Sequence, residues 1–150
     1  MSRSVLIIDD ERALSQALAV RFRAAGFNPI TADNGVNGLA AAEAALPDAI
    51  VLDMRMPDLD GSEVHARLKQ RAELAAIPVI FLSANVQDSA RQSALANGAW
   101  AYLTKPYDPR EVVAVVTEAI SRHGAATSER RVPLGQAVGE PRPTEKGSQA

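Results

Sequence analysis

Polar side chains that could carry chemistry follow four apolar runs of this 150-residue sequence. The stretch SVLIIDDERA passes from an apolar run straight into Asp9 and Asp10, and later runs end in Asp53, Ser83 and Lys105. Each of these residues alone is an ordinary polar or turn residue. Their joint occurrence at the ends of successive apolar runs indicates that three carboxylates, one hydroxyl and one ammonium meet at one place.

This set of groups suits phosphoryl transfer. Carboxylates a few ångströms apart raise each other's pKa unless a cation lies among them, and Mg²⁺ usually binds one or two carboxylates together with phosphate oxygens. A carboxylate can also be the nucleophile that forms an aspartyl phosphate. The transferred oxygens need donors and positive charge, which Ser83 and Lys105 would supply. The sequence therefore predicts a magnesium-dependent phosphoryl site.

Five apolar runs predict the strands that would position these groups. Four are rich in β-branched residues and are typical of buried strands. The weaker one contains Pro29, which suits a sheet edge because proline cannot donate to a ladder. The predicted strands are Val5–Asp9, Phe27–Thr31, Ala49–Asp53, Pro78–Ser83 and Trp100–Thr104.

Helix boundaries are marked between the strands. Asp60 and Asp108 each precede a glutamate by three residues, an acidic form of the capping box that predicts a helix start. Gly26, Gly98 and Gly124 are predicted to end helices. Five strands alternating with five helices indicate a three-layer α/β sandwich with a parallel sheet, because each crossover needs its helix.

The predicted topology brings the polar residues together. Right-handed crossovers and a proline-bearing edge strand favour the strand order 2-1-3-4-5. Ligands bind such sheets in the crevice at the carboxyl ends of the strands, and the polar residues that follow the strands all fall at that edge.

Composition excludes several classes of protein. The apolar content of 47% and charged content of 23% are those of a globular chain. A formal charge of −2 gives no electrostatic reason to bind nucleic acid or anionic lipid. The absence of cysteine excludes disulfides and thiol catalysis and fits a reducing compartment. With no signal peptide or membrane span in the sequence, a cytoplasmic protein is expected.

The last segment has a different composition. Residues 123–150 are rich in glycine, proline and mixed charge and show neither the helical nor the strand period. We expect residues 1–122 to form one domain and residues 123–150 a flexible tail. A partner-binding segment around residues 130–138 is the alternative. No helix-turn-helix or other output domain is expected in so short a tail.

The sequence resembles the receiver domain of two-component response regulators from Val5 to about Arg122. The resemblance rests on the motifs LIIDDE, VLDMRMPDLDG, FLSA and GAWAYLTKPYD. It implies a flavodoxin-like (βα)5 fold and a role in a phosphorelay rather than metabolite turnover. A sensor histidine kinase or a histidine phosphotransfer protein would be the phosphoryl donor. A protein target would bind the face made by the fourth helix, the fifth strand and the fifth helix.

The resemblance also implies residue roles. Asp53 would be the phosphoacceptor, and Mg²⁺ would be held by Asp9, Asp10, Asp53 and the backbone carbonyl of Arg55. The remaining roles fall on residues around the phosphoryl group: Ser83, Lys105 and the backbone of Ala84 as its stabilisers, Ser83 and Tyr102 as the switch, Pro106 as a candidate cis-proline, and Arg55 and Asn85 as candidates that tune phosphoryl lifetime.

Several residues have simpler interpretations. Tyr102 could serve packing alone, and Arg55 could be an exposed arginine. Our hypothesis for Arg55 is that its guanidinium occupies or screens the acidic pocket when metal is absent. His65 is expected on a solvated helix face and His123 at the tail boundary, and neither is expected to be catalytic.

Two other functions compete with a stand-alone response regulator. A Mg²⁺-dependent phosphohydrolase of the haloacid dehalogenase type also uses an aspartyl nucleophile. It would, however, have two aspartates separated by one residue after the first strand, whereas Asp9 and Asp10 are adjacent. A receiver-like scaffold that binds partners without phosphorylation is the second alternative, although no site residue is missing. The oligomeric state expected is a monomer or a phosphorylation-dependent dimer.

Overall fold

The computed structural model describes residues 3–131, with side chains for residues 3–123. Five strands alternate with helices along the chain. The strands are β1 (Ser4–Ile8), β2 (Asn28–Ala32), β3 (Ala49–Asp53), β4 (Val79–Ser83) and β5 (Ala101–Thr104). The helices are α1 (Arg12–Ala24), α2 (Gly35–Ala45), α3 (Gly61–Lys69), α4 (Ala72–Ala75), α5 (Asp88–Ala96) and α6 (Pro109–Arg131).

All five strands form one parallel sheet in the order β2-β1-β3-β4-β5. The predicted α/β class, the flavodoxin-like fold and the strand order are therefore confirmed. Strand β2 lies at an edge, as the proline predicted, and Pro29 pairs with Val5 of β1. On its other side, Val5 pairs with Ala49 of β3.

The sheet is buried on both faces. One face shares a buried apolar cluster with α2, α3, α4 and α5, to which β1 contributes Leu6 and Ile8. Val5 and Ile7 are fully buried as well, and they point to the other face because successive strand side chains alternate. Helix α1, which buries Leu18 and Phe22, packs against β1 and β2 without joining that cluster. Continuous apolar strands are the consequence of this two-sided burial.

Short polar contacts fix the helix starts at the carboxyl edge of the sheet. The Asp60 side chain accepts from the N–H of Glu63 at 3.0 Å, directly before α3. Asp108 accepts from the N–H of Arg110 at 2.9 Å, directly before α6. Both predicted starts are thus in place. Gly26, with φ of +95°, follows α1 in the left-handed region that favours glycine.

Two predictions about helices were wrong. The described residues form six helices rather than five, since the four-residue α4 lies between α3 and β4. Gly124 does not end the last helix, because α6 continues through it to Arg131. A single glycine costs a helix only about 1 kcal/mol, and the alanines and arginines that follow favour helix. The predicted flexibility of residues 132–150 lies outside the described residues.

The described residues fall into two units, residues 3–117 and residues 118–131. The first contains the whole sheet. The described part of the second continues α6, where Arg122 pairs with Glu118 one turn earlier at 3.1 Å. Across the part of the chain that is described, no helix combines the length and apolar character needed to cross a bilayer.

His65 is buried, so the predicted solvated position was wrong. Only 4% of the residue is exposed, and its ring meets Phe81 edge-on with 5.3 Å between centroids. Its Nε2 atom has no hydrogen-bond partner among the described residues. Burial first, and then the charge of Lys69, lower the pKa of His65. The side chain is therefore neutral at physiological pH.

We expect His65→Leu to raise the free energy of unfolding at neutral pH by about 1–2 kcal/mol, because leucine removes a buried polar atom that lacks a partner. The variant should also lose the part of the pH dependence that His65 contributes. As pH falls below 6.5, the ordinary value for histidine, His65 binds a proton in the unfolded chain but not in the folded chain, so its contribution lowers stability. Urea unfolding on both sides of pH 6.5 measures both effects.

His123→Gln is the matched control for this experiment, since it removes the other imidazole of the chain. It should leave the pH dependence of stability as it is in wild type. A His65→Leu protein that became less stable and kept the wild-type pH dependence would contradict the role assigned to burial.

Candidate functional site

Four neighbouring strands deliver polar residues to one edge of the sheet. Asp9 and Asp10 follow β1, Asp53 ends β3, Ser83 ends β4, and Lys105 follows β5. The backbone joins the last two, because the N–H of Lys105 donates to the carbonyl of Ser83 at 2.8 Å. The residues predicted from the ends of apolar runs therefore lie at the same edge of the sheet.

Lys105 is the cation at the centre of this edge. Its Nζ lies 3.0 Å from Oδ1 of Asp53, 3.7 Å from Oε1 of Glu11 and 4.0 Å from Oδ2 of Asp9. Burial alone would lower the pKa of Lys105, but the hydrogen bond to Asp53 and the surrounding carboxylates outweigh it and raise the pKa. The ammonium therefore stays charged. The peptide bond from Lys105 to Pro106 is cis.

Three carboxylates form a compact acidic cluster. One oxygen each from Asp9, Asp10 and Asp53 lies within 4.8 Å of the others. Asp9 and Asp53 are buried, and Asp10 is exposed. Burial is the main cause that raises the pKa of Asp9 to about 6. Burial also raises the pKa of Asp53, against the opposing effect of Lys105.

The acidic cluster fits a hard divalent cation. Oδ1 of Asp9 accepts from the N–H of Glu11 at 2.9 Å, whereas its buried Oδ2 has no hydrogen-bond partner within the described part of the chain. A buried carboxylate oxygen without a partner is costly unless a cation neutralises it. Carboxylate oxygens in this number are the ligands that Mg²⁺ takes from proteins.

The loop after β4 connects Ser83 to Tyr102. Oγ of Ser83 accepts from the N–H of Asn85 at 3.1 Å, and the hydroxyl of Tyr102 donates to the carbonyl of Asn85 at 2.7 Å. The Tyr102 ring is buried, with 2% of the residue exposed, and the guanidinium of Arg91 lies 6.0 Å from the ring centroid. Ala84 is exposed between Ser83 and Asn85.

Arg55 lies at the mouth of the site without an ion pair. Its side chain is exposed and shares a surface pocket with Asp10 and Asp60. Within residues 3–123, no carboxylate lies within 4.0 Å of its guanidinium, and the cation paired with Asp53 is Lys105. Burial raises the pKa of Asp53, and the backbone N–H of Arg55 opposes that rise, after the larger opposing effect of Lys105.

Gly61 allows the loop after β3 to fold tightly back on that strand. A Cβ atom there would lie 2.7 Å from the carbonyl oxygen of Asp53 and 2.9 Å from Cα of Met54. Both are backbone atoms that cannot rotate away. The same loop is tied to α2, because the carboxylate of Asp58 accepts from the N–H groups of Gly35 at 3.0 Å and Val36 at 2.9 Å.

Sequence reasoning missed two residues near the site. Asp58, in the loop described above, looks like one more acidic turn residue, and only the fold brings it to the start of α2. Tyr107 is half-buried near Lys105, and burial followed by the charge of Asp9 raises its pKa. Its position two residues after Lys105 was the signal that could have drawn attention to it.

Comparisons with known proteins identify relatives of this chain. Residues 5–117 match the family model for the response regulator receiver domain. The alkaline phosphatase synthesis transcriptional regulatory protein PhoP of Bacillus subtilis is 37% identical over 122 residues, which cover 81% of this chain and 50% of that protein. The transcriptional regulatory protein KdpE of Mycobacterium tuberculosis is 40% identical over 122 residues, which cover 81% of this chain and 53% of KdpE. The chain thus spans about half the length of the curated relatives it matches.

Solved structures show the same fold. The receiver domain of the Francisella response regulator 1452 has a TM-score of 0.76 and 30% identity, with 81% of this chain and 98% of that chain covered. The chemotaxis protein CheY4 of Vibrio cholerae has a TM-score of 0.75 and 26% identity, with 79% of this chain and 99% of that chain covered.

We expect Asp9→Asn to raise the free energy of unfolding of the metal-free protein by about 1–2 kcal/mol above pH 6, because an amide need not ionise in a buried position. The raised pKa determines the direction in which stability changes with pH. The penalty on wild type is fully present above about 6 and disappears as pH falls toward 3.8. Urea unfolding in the presence of EDTA measures this difference across the pH range.

In the presence of magnesium, wild type should become more stable than Asp9→Asn. A cation that binds only the folded state stabilises wild type by mass action. The free energy of unfolding of Asp9→Asn should rise much less on addition of magnesium. Asp88→Asn, which neutralises an exposed carboxylate in the first turn of α5, should respond to magnesium like wild type. A full magnesium response in Asp9→Asn would remove Asp9 from the cation site.

Proposed function

Since this chain belongs to the family of response regulator receiver domains, we propose that Asp53 accepts a phosphoryl group from a phosphohistidine. The donor would be a sensor histidine kinase or a histidine phosphotransfer protein. The observation that carries the proposal is the ammonium of Lys105, 3.0 Å from a buried Asp53 carboxylate within the acidic cluster. Such a domain acts as a regulatory phosphoacceptor rather than as an enzyme that turns over metabolites.

Asp9, Asp10 and Asp53 would hold Mg²⁺, together with the backbone carbonyl of Arg55. The cation would supply charge neutralisation on the transferred oxygens. The buried Oδ2 of Asp9, which no other described group satisfies, supports this assignment. The exposed position of Asp10 leaves one side of the cluster open to water and phosphate oxygens.

The reaction transfers one phosphoryl group between two nucleophiles. A carboxylate oxygen of Asp53 forms a bond to phosphorus as the bond from phosphorus to the donor imidazole nitrogen breaks, and that nitrogen keeps the electron pair. Lys105 would pair with a phosphoryl oxygen, and the hydroxyl of Ser83 and the N–H of Ala84 would donate to others. Because Lys105 already contacts Asp53, the positive charge is in place before the phosphoryl group arrives.

Ser83 and Tyr102 would form the switch. The hydroxyl of Ser83 accepts from Asn85 and still has its own proton to donate. A shift of Ser83 toward the phosphoryl group would pull on Asn85, whose carbonyl holds the Tyr102 hydroxyl. The face formed by α5, β5 and the first turns of α6 would then bind a downstream protein target. In the predicted five-helix scheme this was the face of the fourth helix, the fifth strand and the fifth helix.

The remaining expectations concern the setting of this domain. Relatives are named as transcriptional regulatory proteins, but the part they share with this chain is about half of their length. We propose that the described domain itself contacts proteins rather than nucleic acid or membrane, as the formal charge of −2 suggests. A cytoplasmic location, and a monomer or phosphorylation-dependent dimer, remain proposals, as do the domain and tail boundaries at residues 122 and 123.

Acetyl phosphate with MgCl₂ should add one phosphoryl group to the wild-type chain, detected by intact mass. Asp53→Asn should gain none, because an amide is not a nucleophile toward phosphorus. Asp88→Asn keeps every site residue and should be phosphorylated like wild type. Phosphorylation of Asp53→Asn to the wild-type extent would end the proposal. Steady release of phosphate from small esters would instead support the haloacid dehalogenase alternative.

Arg55→Ala should tighten Mg²⁺ binding by about two- to fivefold, because it removes a positive charge from the mouth of an acidic pocket. We also expect the rate of phosphoryl loss to change in Arg55→Ala and in Asn85→Ala. Arg23→Ala is the control, since that exposed arginine lies in the last turn of α1, far from the carboxyl edge. Unchanged magnesium affinity and unchanged phosphoryl lifetime in Arg55→Ala would refute the tuning role.

A further inference from the structure

A cleft of about 610 Å³ lies between α3 and α5, next to the site but outside its acidic cluster. Its floor includes Phe81 of β4 and Tyr102 of β5. Small side chains line it on both sides, among them Ala66 of α3 and Ala94 of α5. Sites for small organic ligands have volumes of roughly 300–1,000 Å³ and mostly apolar linings. The cleft therefore has the size and character of such a site.

Charge in the cleft has one sign. Arg55 and Lys69 line it, and none of the described residues that line it carries a carboxylate. The ammonium of Lys69 reaches from α3 to the end of α5, where a Cβ atom on Gly98 would come within 2.6 Å of it. That glycine has φ of +101°, so the backbone favours glycine there, and the end of the lysine side chain lies against it. The arrangement favours an anion at the Lys69 end.

His65 adds a polar group to the floor of the cleft. The imidazole is buried and neutral, and Nε2 is without a partner in the described chain. The titratable groups around it are Lys69 on its own helix and Tyr102 on the floor, with Arg55 at the far rim. A neutral ring beside two cations is compatible with an anionic ligand and does not compete with it for charge.

We propose that this cleft binds a small amphiphilic organic anion, an aromatic or aliphatic body that carries one carboxylate or sulfonate. The body would pack on Phe81, Tyr102 and the alanines, and the anionic group would pair with Lys69. Ser83 and Tyr102 line the same cleft, so an occupant would also contact the residues of the switch. This last step rests on the proposed function, whereas binding itself does not.

Anilinonaphthalene sulfonate is a suitable probe, because it combines an aromatic body with a single anionic group. Titration into the 150-residue chain should give saturable one-to-one binding with enhanced fluorescence. Ala94→Leu, which fills the cleft from α5, should weaken binding by about tenfold or more, and Lys69→Gln by about three- to fivefold. Asp53→Asn should bind like wild type, which separates this proposal from phosphoacceptance.

Matched variants identify the location. Ala96→Leu makes the same change at an exposed position of α5, and Arg67→Gln removes an exposed charge from α3 outside the cleft. Both should bind the probe like wild type. Amide shifts in two-dimensional NMR should be largest at Ala66, Ala94 and Gly98, which tests the location even if Ala94→Leu does not fold.

Other outcomes overturn the proposal. An equal loss of probe affinity in Ala94→Leu and Ala96→Leu, or amide shifts confined to the exposed Trp100, would show adventitious binding of the probe only. An acidic peptide that bound the cleft while the sulfonate did not would identify a protein partner instead.

The coupling between the cleft and the phosphoryl site has its own test. The probe should change beryllofluoride affinity in the presence of Mg²⁺, and beryllofluoride should change probe affinity by the same factor.

Discussion

The structure depends on a balance between buried negative charge and one ammonium. Asp9 and Asp53 end or follow central strands, where water is largely excluded, and each has a raised pKa because of that burial. Lys105 contacts Asp53 directly and approaches Asp9 and Glu11. One cation cannot neutralise that many carboxylates, and Oδ2 of Asp9, which accepts no hydrogen bond among the described residues, is where the deficit remains. A bound divalent cation would offset this deficit.

Tight backbone packing keeps the charged groups together. Gly61 brings the loop after β3 against the carbonyl of Asp53, at a distance that no side chain tolerates. Gly38 of α2 is equally close to Ile8, since a Cβ there would lie 2.6 Å from Cδ1 of that residue. These glycines let α2 and α3 approach β1 and β3 at the edge where the carboxylates emerge. Interiors packed at this density cannot take up displacements gradually, so a change at Asp53 must pass to neighbouring loops.

The sequence predicts the sheet and the site well because both follow from strand ends. A buried parallel strand is a continuous apolar run, and its carboxyl end is marked by the first polar residue, as at Asp53. Helices are harder to predict from the sequence. Helix α4, for example, is a single turn and too short to show a helical period. His65 was misplaced through its polar neighbours Ser62, Arg67 and Lys69. Positions 61, 64, 65 and 68 nevertheless share one helical face, and all four are buried. Tertiary contacts such as those of Asp58 with α2 leave no local pattern.

The position of Tyr102 constrains how any switch can work. Its ring is already buried, and its hydroxyl already holds the carbonyl of Asn85, so a phosphoryl group need not bring the ring inward from solvent. What it can alter is the hydrogen bond between Asn85 and Ser83, which runs through the oxygen that would turn toward phosphate. A ligand shifts an equilibrium only by its differential affinity for the two states. In the proposed switch the discriminating contact would therefore be the Ser83 hydroxyl, and the space beside Tyr102 would allow the loop to respond.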